Sequence, residues 1–267
     1  MTTQSSLADA LERTAPPMGG FNLTILRLEV RRLLRNRRTM ILAIAVPAFL
    51  FLGLERSDSS ADVHQIVGQG NLTAFEMISI ALFGAVFATA TCGAMVSIER
   101  TLGWSRQLRV TPASPTAYIA IKMLTSLTLA AGAVGAVYLI GAATKQASMP
   151  TYLWLITGIC VWIGSLLFSA LGLFIGYVLP SENVTQIISL VLMPCCFAGG
   201  LFIPVSQFSH TYATLAKFTP LYGLNELVHY PLVGSHLQWL WVLNLAAWLA
   251  AFTLGAVWQL RRDTARV

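Results

Sequence analysis

The chain has 267 residues, 56% of them hydrophobic and only 10% charged, with a mean hydropathy of +0.69. Soluble domains carry about 25% charged residues, and so few charges cannot clothe a water-facing surface, which excludes an ordinary soluble fold. The net charge of +6 would suit nucleic acid, but the basic residues flank hydrophobic runs, where they set membrane topology instead, so no nucleic-acid partner is expected.

Residues 1–20 are polar and contain Pro16, Pro17, Gly19 and Gly20, the composition of a disordered tail. Residues 21–267 then read as a single membrane domain. The stretch Phe21–Arg38 (FNLTILRLEVRRLLRNRR) places Arg27, Arg31, Arg35 and Arg38 on one helical face and Leu23, Leu26, Val30, Leu33 and Leu34 on the adjacent one. An amphipathic basic helix of this kind lies along the membrane surface with its leucines in the acyl boundary. A solvated flank that only orients the first span is the alternative.

Six spans follow, at about 39–54, 73–97, 118–144, 151–179, 184–201 and 237–260. The first is short, at 16 residues, and carries Pro47, so it must extend into its neighbour or rely on snorkelling flanks. The other five are long enough, at ~1.5 Å per residue, to cross a ~30 Å hydrocarbon core. Cys92, Cys160, Cys195 and Cys196 all fall in apolar stretches without metal-ligand spacing, and adjacent Cys195 and Cys196 cannot form an unstrained disulfide. They read as small buried hydrophobes.

Seven arginines precede the first span, four basic residues lie in or beside the second connection, and three lie in the C-terminal tail, 14 of 17 in all. Only Arg56, Lys145 and Lys217 fall on the other side. The positive-inside rule therefore puts both termini in the cytoplasm of a multi-pass plasma-membrane protein.

No GxxxxGK[ST] phosphate loop exists, so the chain holds no P-loop nucleotide site and no cofactor is expected on it. No ionisable residue sits near the middle of a span; Glu76 and Lys122 lie close to span ends. An ion-coupled carrier would need such groups. An intramembrane serine protease would need a serine facing a histidine, but His64, His210, His229 and His236 all fall in external segments.

Two connections carry more than a loop requires. The inner one, Ile98–Thr116 (IERTLGWSRQLRVTPASPT), opens on Glu99-Arg100, includes Trp104 and Arg106, and ends on two X-Pro pairs that stop a helix. Charge with an exposed tryptophan suits a docking surface for a soluble partner. A hairpin that enforces orientation, with Trp104 anchored in the interface, accounts for the spacing equally well. The outer connection, Phe202–His236, is apolar and aromatic over Phe208–Phe218 and Leu221–Leu232, with Pro220 between. Two short helices dipping back into the outer leaflet would hide it; an ordinary external cap is the alternative.

These segments resemble the membrane-spanning permease subunits of type-2 ABC exporters, including bacterial drug and antibiotic exporters of the daunorubicin-resistance kind. The likeness lies in ERTLGWSRQLRVTPASPTAYIAIKML (Glu99–Leu124), similar to the family's coupling segment and third span, and in GGLFIPVSQFSHTYATLAKFTPLYGLNELV (Gly199–Val228), similar to its re-entrant outer hairpin. Phe21–Arg38 is similar to its surface connecting helix, so the likeness covers nearly the whole chain after residue 20.

The resemblance implies an all-α polytopic fold that docks two copies of a separate ABC ATPase, on which ATP and Mg would be bound. Arg31, Arg35, Glu99, Arg100, Trp104 and Arg106 would form the docking surface. A second permease subunit would pair with this one, a homodimer being favoured over a heterodimer. A substrate path would run between the second and fifth spans, with Thr89, Thr91, Cys92, Ser97, Met193 and Phe197 as lining residues or simply as helix packing. The outer hairpin, with Phe218, Pro220, Tyr222 and Leu224, would gate release. A charge-poor, aromatic path suits an amphipathic or hydrophobic cargo such as a drug. The same architecture could carry a lipid-linked polysaccharide or lipid, and an energy-independent channel or scaffold is the reading from another class.

Overall fold

The structure, a computed structural model, describes residues 22–57, 65–103, 114–180, 182–203 and 205–265. The expected tail at 1–20, and Trp104 and Arg106 of the inner connection, lie outside these residues. Helix α1 (Leu23–Arg35) begins at Asn22, whose side-chain oxygen accepts from Thr24 N at 2.8 Å, an N-cap. It ends at Asn36, short of the expected Arg38. Asn36 N–H donates to Leu33 O at 3.0 Å, and its side-chain oxygen accepts from Thr39 N at 3.3 Å. One asparagine thus closes α1 and opens α2 (Arg37–Ser57). Arg38 leaves the arginine face of α1 and joins the first turn of α2. Helix α2 starts before Thr39 and runs past Leu54, so the expected shortness of the first span is relieved by extension at both ends.

A small antiparallel hairpin, β1 (Ile66–Val67) and β2 (Gly70–Asn71), escapes the periodicity of the sequence because each strand has two residues. It turns at Gly68, whose φ of +59° suits glycine. Gln69 N–H donates to Leu232 O at 2.8 Å and Asn71 N–H to Ser148 O at 3.0 Å, fastening the hairpin to the helix that ends at Val233 and to the connection at 145–150. The Asn71 side chain also accepts from Ala74 N at 3.0 Å, capping α3 (Leu72–Ala94).

Helix α3 continues, after Met95, into α4 (Val96–Thr101). Then come α5 (Pro115–Thr144), capped by Ser114 with Pro115 in its first turn; α6 (Thr151–Gly164) and α7 (Leu166–Val178), joined at Ser165; and α8 (Val184–Ala198). A 3-10 turn (Val205–Gln207), α9 (His210–Ala216), α10 (Pro220–Val233) and α11 (Trp239–Ala265) complete the order. Pro220 opens α10, where its missing N–H is not needed.

Among the described residues, five helical stretches are long and apolar enough to span a membrane: Arg37–Leu54, Leu72–Thr101, Thr116–Thr144, Thr151–Val178 and Trp239–Arg262. Helix α8 is the exception to the expected six. Its 15 residues, at ~1.5 Å each, extend ~22 Å, less than the ~30 Å core, because Gly199 and Gly200 end the helix before Leu201.

The bundle is built around α3. Its membrane-length window is 83% buried, against 11% for those of α2 and α11, so α3 is surrounded by protein while the other two keep open apolar faces. Helices α5 and α7 pack closely on it, with α2 and α8 on other sides. Since lipid is as apolar as leucine, close backbone contact and hydrogen bonds must bind these helices. Both are present. A Cβ on Gly93 would meet Ser169 O at 2.5 Å, and one on Gly172 would collide with the Ala90 carbonyl. Ser126 Oγ donates to Ser169 Oγ at 2.7 Å, and Thr89 Oγ1 to Ser165 O at 3.0 Å.

Gly172 therefore holds the α3–α7 crossing. Gly172→Val is expected to destabilise the protein by about 1–3 kcal/mol through overpacking against backbone. Thermal unfolding of the detergent-purified protein measures this; an unchanged midpoint would show that the crossing can open at no cost.

Candidate functional site

Four charged residues at the α1 end of the bundle gather into one network, with Glu29, Glu99 and Lys122 largely buried and Arg32 reaching in from the surface. Tyr118 and Lys122 are four residues apart on α5 and so share a face; Glu29 and Arg32 are neighbours on α1 by the same spacing rule; Glu99 comes from α4. Lys122 Nζ lies 2.9 Å from Glu29 Oε2 and 2.7 Å from Glu99 Oε1. Arg32 reaches Glu99 Oε1 at 3.0 Å, and the Tyr118 hydroxyl donates to Glu99 Oε2 at 2.7 Å. Lys122 also stands over the Tyr118 ring, 5.5 Å from its centre.

The electrostatics explain why all four charges are needed. Burying an ion costs several kcal/mol, recovered only through close, hydrogen-bonded partners. Here two cations meet two carboxylates, so the network is neutral, and both oxygens of Glu99 are occupied. It ties α1, α4 and α5 together. A cavity of about 170 Å³, lined by Glu29, Arg32, Cys92, Glu99, Lys122 and Thr125, adjoins it. Beside it, Arg100 donates to Tyr177 O at 2.6 Å, binding α4 to the last turn of α7, where carbonyls lack helical partners.

This arrangement corrects the reading of Glu99 as a docking residue. Its carboxylate points inward, and Glu99 is 8% exposed. The sequence left out Glu29, Arg32, Tyr118 and Lys122. Two signals were available: Glu29 is the lone acid in Phe21–Arg38, and Lys122 sits inside the apolar approach to a span. Arg31 and Arg35 are exposed on α1.

The expected path residues separate. Thr89 is wholly buried and bonded to Ser165 O, and Ser97 donates to Leu179 O at 2.9 Å, so both serve packing. Thr91 lines a second, larger cavity beside α2. Met193 and Phe197 are partly exposed on α8, the latter stacked near Phe202. Of the hairpin residues, Phe218 is exposed, Tyr222 half-buried, and Leu224 fully buried against Gly164 of α6.

His229, in the connection expected to be external, packs against α3. It is buried, with Nε2 3.1 Å from Ser79 Oγ on α3 and Nδ1 2.8 Å from Asn225 O. The ring faces a backbone carbonyl instead of a carboxylate, so this pair joins α10 to α3 without the third member of a hydrolytic triad. Burial pushes the imidazole below its usual 6.5, against the opposing pull of its backbone hydrogen bonds.

Stacked apolar helices of spanning length around a buried α3 define a multi-pass, all-helical membrane protein. The chain belongs to the ABC-2 type transporter family, whose profile matches residues 23–233. It is 24% identical over 243 residues to a Bacillus subtilis (strain 168) protein named "Putative transport permease YvfS", covering 89% of this chain and 96% of that relative. A chain of this family is the permease component of an ABC transporter, with an ABC ATPase subunit as its partner.

Two measurements probe the site. Lys122→Met leaves two buried carboxylates sharing Arg32 and is expected to cost about 3–5 kcal/mol, while adding Glu99→Gln restores part of that loss. Unfolding of the single and double variants in detergent gives the coupling; additive losses would disprove the network. For His229 the sign follows from its lowered value. The unfolded imidazole binds a proton near 6.5 while the folded one does not, so stability is full above 6.5 and falls as pH drops below it. His229→Gln is expected to flatten that slope, read from unfolding midpoints on either side of 6.5.

Proposed function

We propose that this chain is the membrane-spanning subunit of an ATP-driven exporter, energised by a separate ATPase and moving an amphipathic compound outward. The Glu29–Lys122–Glu99–Arg32 network carries the reading. It joins the arginine-bearing helix α1 and the short helix α4 rigidly to α5, so a push on α1 reaches the transmembrane bundle. The basic asymmetry of 14 residues against 3 makes the α1 end cytoplasmic in the plasma membrane, where a soluble ATPase would meet the exposed Arg31 and Arg35. ATP and Mg would reside on that partner, present in two copies.

Helix α8 with Gly199–Ile203 makes the sixth crossing in this reading, and α9 with α10 forms the outer gate. Exposed apolar side chains on α8 (Leu190, Met193) leave a face for a second copy of the chain. Absence of a phosphate loop agrees with energy arriving mechanically.

Arg31→Glu with Arg35→Glu is the discriminating variant, because both residues are exposed and no ion pair among the described residues depends on them. It is expected to lower co-purification of the ATPase at least about tenfold while leaving the unfolding midpoint in place. Vesicle export of amphipathic dyes is expected to fall in parallel. Unaltered ATPase binding and export would remove α1 as the docking element.

A further inference from the structure

Beside the charge network, a cavity of about 460 Å³ lies between α2, α3 and α5, with Thr185 of α8 at its edge. That volume falls within the ~300–1,000 Å³ of small-molecule pockets. Its lining is polarised. At the α1 end stand Arg38, Thr39 and Thr185; deeper along α2 and α3 the walls are Val46, Pro47, Phe83 and Phe87. From Arg38 to Pro47 the helix rises ~14 Å. Leu42 and Val46, which edge the cavity, are 53% and 46% exposed, so the space opens sideways along α2, toward the membrane.

Arg38 is the one ionisable residue of this lining, and among the described residues it has no acidic partner. The first turn of α2 holds no acidic residue either, so the positive end of that helix dipole adds to the guanidinium without a protein anion to answer it. The contrast with Arg32 is direct: six residues earlier, an arginine is matched to two carboxylates. We propose that the cavity between α2, α3 and α5 binds an anionic amphiphile, its carboxylate or phosphate head on Arg38 and its apolar chain against Val46, Pro47, Phe83 and Phe87. Arg38 is exposed, and an anionic head would replace the water on its guanidinium with two parallel hydrogen bonds. The exporter reading is needed only for taking the ligand as cargo; the head-and-chain chemistry is shared by a resident anionic lipid.

The test uses the full chain in nanodiscs of zwitterionic phosphatidylcholine, with a pyrene-labelled fatty acid and the matching pyrene-labelled alcohol as probes. The acid is expected to bind saturably and at least about tenfold more tightly than the alcohol, the value of one charge-assisted hydrogen bond. Arg38→Gln is expected to abolish that preference and leave alcohol binding unchanged, whereas Arg38→Lys keeps most of it. Leu42→Trp, at an exposed position, fills the mouth and weakens both probes. Stimulation of the partner ATPase by the acid identifies cargo; an anionic phospholipid that co-purifies with the native chain and not with Arg38→Gln identifies a resident lipid. Equal affinities for acid and alcohol, or a preference that survives Arg38→Gln, would overturn the inference. Neither result touches the exporter reading, since no ATPase enters the binding measurement.

Discussion

A lysine ammonium inside an apolar bundle must find carboxylates or lose its charge, and Lys122 finds two, Glu29 at 2.9 Å and Glu99 at 2.7 Å. The rest of the α1 end follows from this requirement. Glu29 can reach Lys122 only if α1 lies against α5, and Glu99 only if α4, which continues α3 past Met95, turns that side chain toward α5. Arg32 then balances the second carboxylate and Tyr118 occupies its other oxygen. A helix rich in arginine is thereby held to the bundle by its one glutamate, which leaves Arg31 and Arg35 facing outward.

The remaining bundle obeys a different rule. Between apolar helices in lipid, attraction comes from close approach and from hydroxyls finding carbonyls. Gly93 and Gly172 let α3 and α7 touch through their backbones, and Thr89, Ser126 and Ser169 add hydrogen bonds across the same seam. On the opposite end, His229 and Ser79 make the equivalent join between α10 and α3, while the Asn71 hairpin fastens that helix to the α5–α6 connection. Helix α3 is thus gripped at both ends and along its middle, whereas α2 and α11 are held on one side only. A transporter that changes shape needs such a division between a fixed element and elements free to shift.

The two cavities at the α1 end make the division functional. They share Met95 and Ile98, yet one is lined by paired charges and the other by apolar side chains with a single unanswered arginine. A change at the network that moved Met95 or Ile98 would also move a wall of the larger cavity.

The amino-acid sequence by itself determined the properties that depend on neighbours along the chain. Apolar runs far longer than a barrel strand needs made a polytopic helical protein the outcome, because a helix satisfies its own backbone groups in lipid. Pro220 opens α10 because the first turn has no helical partner for the N–H that proline lacks, and Ser114-Pro115 starts α5 for the same reason. Contacts between distant positions were decided by the tertiary structure alone. Lys122 and Glu29 stand 93 residues apart, and His229 and Ser79 stand 150 apart; no periodicity reports on either pair. That is why Glu99 reads from its surroundings as an outward charge and proves to be turned inward. The two-residue step from Thr89 to Thr91 makes the same point. Both are hydroxyls on one apolar helix, but ~200° of rotation puts the first into the α7 seam and the second into a cavity. Hydropathy counts what a residue is, and only packing decides what it faces.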